Sequence, residues 1–215
     1  LTSQVEVTRA YGDSIVNLYP EEIRTDEAGL IVALQSLPRF ARGMTAEQIQ
    51  AAIDAVNAAV PAFQAENNQN LVNAAVKKAN DYAATLDHSE ETGTMVQMEV
   101  WNNLSYMTSA EVLAEVDATK YEVAMEYYQT IEMMLTQFQP MVEKDQAMTA
   151  ATKAAAEAQT LFDSYKNPSD EAGFAAAITK VNTILSELGM WDTEYTVADL
   201  NAAVEALATA QEAFV

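Results

Sequence analysis

One short pattern occurs three times in this 215-residue chain: Thr25-Asp26-Glu27-Ala28-Gly29, Ser89-Glu90-Glu91-Thr92-Gly93 and Ser169-Asp170-Glu171-Ala172-Gly173. A chain that repeats itself must bury its apolar faces within or between copies, which narrows the fold before any other consideration. The common form is hydroxyl, acid, Glu, small residue, Gly. A Ser or Thr oxygen can accept an orphan amide at a helix start, and carboxylates there meet the positive end of the helix dipole. Each copy is expected to open a helix, with the hydroxyl as N-cap and the glycine in the first or second turn.

A second start signal follows each of these. Thr45-Ala46-Glu47-Gln48 and Thr108-Ser109-Ala110-Glu111 have the form of a capping box, and Thr196-Val197-Ala198-Asp199 has Asp in the last place. Behind the first box, Ile49, Ala52, Ile53, Val56, Val60 and Phe63 recur at helical spacing. Leu200, Ala203, Val204, Leu207, Ala210 and Phe214 do the same behind the third. The second copy keeps Val112, Val116 and Val123 but places Glu115 and Thr119 in the stripe. Ahead of each acidic pattern lies another amphipathic stretch ending near Tyr19, Tyr82 or Tyr165.

Each copy thus reads helix, acidic turn, helix, capping box, helix. The predicted fold is all-α: three tandem three-helix bundles at 1–66, 67–140 and 141–215, about nine helices in an elongated array. Ala, Glu, Gln, Met and Leu dominate, and Gly and Pro number only 6 and 5, which fits helices throughout. Pro38 is expected to break or kink the second helix, and Pro61 to bend the third. In the second copy, a helix from Thr108 towards Phe138 meets no breaker before Pro140.

Composition excludes several functions. With 32 acidic residues against 11 basic, the chain repels phosphate backbones and anionic membranes, so neither nucleic acid nor a lipid surface is an expected partner. No cysteine is present, which removes disulfides, thiolate metal sites and thiol nucleophiles. No run approaches the roughly 18 apolar residues of a membrane helix, so no membrane insertion is expected. The start Leu1-Thr2-Ser3 reads as a mature or trimmed fragment.

The last third carries a family resemblance. Phe174-Ala175-Ala176-Ala177-Ile178 follows its acidic turn, and Tyr195-Thr196-Val197-Ala198-Asp199-Leu200-Asn201-Ala202-Ala203-Val204-Glu205-Ala206-Leu207 closes it. This resembles the FIVAR-type three-helix modules of bacterial surface proteins, which share a Tyr-Thr ahead of one helix and a similar closing helix. The first copy matches in part and the second poorly: no Tyr-Thr precedes Thr45, and Met107 splits Tyr106 from Thr108. The resemblance implies extracellular stalks, adhesins or accessory modules of surface glycosidases, and no catalytic residues.

The residues themselves offer little chemistry. His88, the single histidine, lies beside the second acidic pattern and reads as a solvated loop residue rather than a general base. Glu111 and Glu115 are one turn apart, but the Glu-x-x-His motifs of a di-iron bundle are missing. Asp87, Ser89 and Glu91, like Asp192 and Glu194, alternate as calcium ligands can, but without the glycine and final Glu of a calcium loop. Capping explains them better. No metal or cofactor is expected, nor enzymatic activity. The sequon Asn103-Leu104-Ser105 falls inside a predicted helix.

Eight of the ten methionines lie between Met95 and Met148, accompanied by Tyr121, Tyr127 and Tyr128. They read as core filling, as an adaptable contact surface, or as a thioether copper site. Trp101 and Trp191 sit at predicted helix boundaries. The candidate partner-binding residues are Trp101, Tyr121, Met125, Tyr128 and Trp191. The expected function is a non-enzymatic segment of a secreted or cell-surface bacterial protein, acting as a stalk or spacer or as an adhesin-like protein-binding module. The alternative is a glycan- or peptide-binding module using that aromatic and Met patch. A metal-carboxylate enzyme is the third reading, which the apolar stripes oppose. The partner would be a protein or glycan at the cell surface.

Overall fold

The computed structural model describes residues 2–39, 43–165, 169–170, 172–190 and 193–214. The described residues are helical with turns between, as the sequence predicts. They form α1 (Thr2–Val16), α2 (Leu30–Ser36), α3 (Ala46–Ala83), α4 (Met95–Met107), α5 (Ala110–Glu115), α6 (Tyr121–Asp163), α7 (Phe174–Leu188) and α8 (Val197–Phe214).

The expectation of about nine helices is corrected to eight among these residues. The third predicted helix of the first copy and the first of the second are one helix, α3, of 38 residues. It passes unbroken through the sequence boundary at 66/67. Pro61 does not interrupt it: the ring lies on the exposed face, as does Asn57, whose carbonyl loses its amide partner to the proline. The uninterrupted helix expected from Thr108 towards Phe138 is instead divided. Asp117 accepts the Thr119 amide at 3.1 Å and its hydroxyl at 2.5 Å, a local turn that outcompetes the helix. Beyond it, α6 runs through Pro140 for 43 residues. Pro38 ends α2, because the residue before a proline is driven out of the helical region; Leu37 sits at φ −64°, ψ 132°.

The glycines of the first and third patterns are not inside their helices. Gly29 (φ 73°) and Gly173 (φ 70°) are the N-caps of α2 and α7 in the left-handed region. Each donates its amide back to an aspartate carbonyl, Asp26 or Asp170, at 3.1 Å. The side chains that accept the first-turn amides are those of the aspartates rather than the hydroxyls. The Asp26 carboxylate accepts the amides of Ile31 (2.9 Å) and Val32 (3.2 Å). Asp170 accepts those of Phe174 (2.6 Å) and Ala175 (3.3 Å). In the second pattern Gly93 is needed for closeness instead: a Cβ there would lie 2.5 Å from the Asp87 carbonyl oxygen. Thr94, just beyond it, caps α4 through the Gln97 amide at 3.2 Å.

The boxes behave more nearly as the sequence predicts. Thr45 and Gln48 bond reciprocally at the start of α3. Thr196 and Asp199 do so before α8, so Asp serves in the last position. In the second copy Ser109, not Thr108, caps α5; Thr108 turns its hydroxyl back to the Leu104 carbonyl.

The residues fall into two compact units, Leu1–Leu86 with Glu99–Leu135, and Asp87–Met98 with Thr136–Val215. In unit 1, α1, α2 and α3 pack together around Leu30, Leu34, Ile49, Ile53, Val56 and Phe63, all buried. In unit 2, α7 and α8 pack on each other. Phe174, Ile178, Val181, Leu200, Ala203 and Leu207 share a core with Ala151, Ala155 and Ala158 of α6. Three alanines at near-helical spacing let neighbouring backbones approach closely, and burial of the apolar stripes supplies the driving force at about 25 cal/mol per Å².

Candidate functional site

The densest side-chain chemistry lies where α3 meets the first acidic turn, in unit 1. Five successive polar residues, Glu66-Asn67-Asn68-Gln69-Asn70, lie there, and all but Gln69 bond to that turn or to Tyr19 ahead of it. The Glu66 carboxylate accepts the Thr25 hydroxyl and the amides of Glu27 (3.1 Å) and Ala28 (3.0 Å). Asn67 pairs with both backbone groups of Thr25. Asn70 donates to the Ile23 carbonyl (3.2 Å) and the Thr25 hydroxyl oxygen (2.8 Å). Asn68 accepts the Tyr19 hydroxyl at 2.7 Å. Asn67 and Asn68 are each 1% exposed.

Electrostatics follow from these bonds. Burial opposes the charge on Glu66, but the Thr25 hydroxyl and the two amides outweigh it and hold the carboxyl below its ordinary range. Tyr19 is packed edge-on to Phe63 at 5.9 Å and to Tyr121 at 5.4 Å. Burial, with Tyr121 and Glu122 nearby, pushes its phenol up to about 12.

A smaller version recurs in unit 2. Asp145 of α6 accepts the Thr94 hydroxyl, and Gln97 accepts the Asp87 amide at 3.0 Å. A helix carboxylate thus holds a threonine hydroxyl from an acidic turn in both units. The Asp87 carboxylate is held below its ordinary range by the Thr92 hydroxyl, then by the Ser89 amide and hydroxyl. Those bonds assign it to shaping the turn. His88, Glu111 and Glu115 are exposed. Among the described residues no group of three or more His, Asp or Glu side chains is placed to hold a metal ion. Nor is any helix among them long and apolar enough to cross a membrane.

Four of the five sequence-predicted partner-binding residues lie in unit 1. Tyr121, Met125 and Tyr128 occupy the first turns of α6, and Trp101 lies on α4. Tyr121 is half-buried and donates its hydroxyl to the Leu18 carbonyl at 3.1 Å. Tyr128 is buried, with the Lys78 ammonium 5.1 Å from its ring centre. Lys78 also donates to Glu132 (2.6 Å) and to the Tyr128 oxygen (3.1 Å), and these bonds, that to Glu132 foremost, hold its pKa above the ordinary range. Met125 and Trp101 are half-buried. Trp191 lies outside the described residues, as does Asp192.

The surface of unit 1 also carries open depressions. One, of about 510 Å³, is lined by Val5, Glu6, Arg9, Asp13, Pro38, Arg39 and Ile49. Its Arg9 guanidinium donates to the Leu34 (3.1 Å) and Leu37 (2.8 Å) carbonyls, closing the C-terminal end of α2. The sequence reading missed the Glu66–Asn70 run. Its signal was Asn67, a polar residue on the stripe between Phe63 and Leu71. No protein-family model matches the chain, and no curated protein or solved structure shows significant similarity to it.

Proposed function

We propose that this chain is a non-enzymatic segment of a secreted or cell-surface bacterial protein, built of tandem three-helix bundles and acting as a stalk or spacer or as a protein-binding module. The observation that carries the reading is the common use of the acidic turns. Asp26 and Asp170 cap α2 and α7 behind the same left-handed glycine, and Glu66 and Asp145 hold the turns to long helices. Carboxylates that already accept backbone amides and hydroxyls serve the fold, and the remaining acidic surface keeps helix faces hydrated. A repeated, strongly capped helical unit is suited to spacing or presentation.

The experiment is antibody labelling of intact cells of the source organism, before and after protease treatment of the cell surface. Labelling of intact cells that the protease removes supports the reading. Labelling only after permeabilisation contradicts it.

A glycan- or peptide-binding module is favoured by one observation: Tyr106 on α4 and Met133 on α6, both in unit 1, are 61% and 56% exposed. Binding on a glycan or peptide array, lost on Tyr106→Ala, is the outcome that reading predicts.

A further inference from the structure

We propose that Glu66 is an acid-released strap: protonating its carboxylate frees the first acidic turn, residues 25–28, from α3. The geometry makes the carboxylate the single acceptor for three donors, the Thr25 hydroxyl and the Glu27 and Ala28 amides. An ionised carboxylate has about four lone-pair sites and no proton of its own. A protonated one keeps a good acceptor on one oxygen and places an O–H among donors on the other. The new O–H then faces donors that bonded to the ionised oxygens; a hydroxyl such as that of Thr25 can turn to accept it, but a backbone amide cannot, so the bond to a partly buried amide is weakened.

No charged neighbour sets this response. The turn and the segment before it carry Glu21, Glu22, Arg24, Asp26 and Glu27; α2 carries no charged residue, α1 carries Glu6, Arg9 and Asp13, and the segment that lines a depression with Ala65 and Gln69 carries Glu115 and Asp117. Along α3 the nearest charges are Asp54 and Lys77, each roughly three turns from Glu66. Arg24 is committed to the Val16 carbonyl at 3.0 Å. Hydrogen bonds rather than a salt bridge therefore hold the carboxylate ionised. Its folded pKa lies below the unfolded value, so its stabilisation is complete above about pH 4.3 and is lost as pH falls through the folded value.

Release would not melt α3. Its core residues Phe63 and Leu71 stay buried without Glu66, and Asn67 still holds the Thr25 backbone. The freed part is the Glu27–Ala28 end of the turn, which leads into the Asp26 cap of α2.

The test is amide hydrogen exchange by NMR on the full chain at about pH 7 and about pH 3, corrected for the intrinsic pH dependence of exchange. Wild-type protein should lose protection at Glu27 and Ala28 in acid while Leu71 stays protected. Glu66→Gln should show that loss, about tenfold or more, already at pH 7, with no further change in acid. Protection at Gln97, capped by Thr94 in the other unit, should be unaffected by the substitution. Wild-type protection at Glu27 and Ala28 in Glu66→Gln overturns the proposal, as does acid loss that occurs only together with Leu71. Should Glu66→Gln fail to fold, Thr25→Val removes a hydroxyl that holds the carboxylate ionised; protection at Glu27 and Ala28 should then be lost at higher pH than in wild type, and an unshifted loss overturns the strap.

Discussion

Asn67 grips the backbone of Thr25 on both sides: its Oδ1 accepts the Thr25 amide at 3.0 Å, and its Nδ2 donates to the Thr25 carbonyl at 3.1 Å. The same Nδ2 reaches the Phe63 carbonyl one turn back, at 3.0 Å. A side-chain amide thus imitates a neighbouring strand for one residue of a turn.

Asn67→Ala removes both partners of the Thr25 backbone, in two part-buried bonds, and empties a buried side-chain site. The expected cost is about 2–3 kcal/mol, read as a lowered midpoint in urea at unchanged slope. Asn73→Ala, on the exposed face of the same helix, should stay within about 0.5 kcal/mol of wild type.

Gly29→Ala and Gly173→Ala each force a side chain into the left-handed region, at φ 73° and 70°. Nothing lies within 4 Å of either added Cβ, so backbone strain alone sets the cost. Each should destabilise by about 1–2 kcal/mol in urea melts, and the two should agree within about 0.5 kcal/mol.

Phe174 is fully buried and touches Phe162 and Phe214, with ring centres 6.0 and 4.9 Å away. Phe174→Ala should cost about 3–5 kcal/mol by denaturant unfolding. Val32→Ala, at a side chain 61% exposed on α2, should be close to neutral.

Tyr19 is 3% exposed, and its phenol is pushed up to about 12. The folded value lies above the unfolded one, near 10, so the neutral phenol's contribution is complete below pH 10. It is lost as pH rises from about 10 to about 12, because the unfolded chain ionises first. Stability should fall by about 2–3 kcal/mol across that window. Tyr19→Phe should be less stable at neutral pH, having left Asn68 without its donor, and should lose much of that alkaline slope.

How far the sequence foretold this arrangement depends on the residue. Thr45 with Gln48 and Thr196 with Asp199 were readable because a capping box is local: both partners sit within one turn. The acidic patterns are readable as helix starts, but the hydroxyl that the pattern offers as cap yields to the carboxylates of Asp26 and Asp170. The competition between a near hydroxyl and a carboxylate several residues from its amides depends on whether Gly29 and Gly173 turn left-handed, which spacing alone does not decide. The unbroken α3 was hidden by Pro61 and by Glu66-Asn67-Asn68-Gln69-Asn70, a run that looks like a linker. Glu66, Asn67 and Asn70 find their partners about 40 residues away in the turn at 23–28, beyond the reach of a local pattern. Tyr121 and Tyr128 stand out in the sequence by their chemistry, and nothing in their spacing announces that the Leu18 carbonyl and the Lys78 ammonium bond to their hydroxyls.

The claim beneath all of this is that α3 is one helix whose polar middle clamps the first acidic turn. NMR of the isotope-labelled chain tests it directly. Helical carbon shifts without a break from residue 60 to 75, with contacts between the Asn67 side-chain amide and the Thr25 backbone, are the predicted result. Coil shifts at residues 65–70, or an Asn67 amide without contact to Thr25, would contradict it.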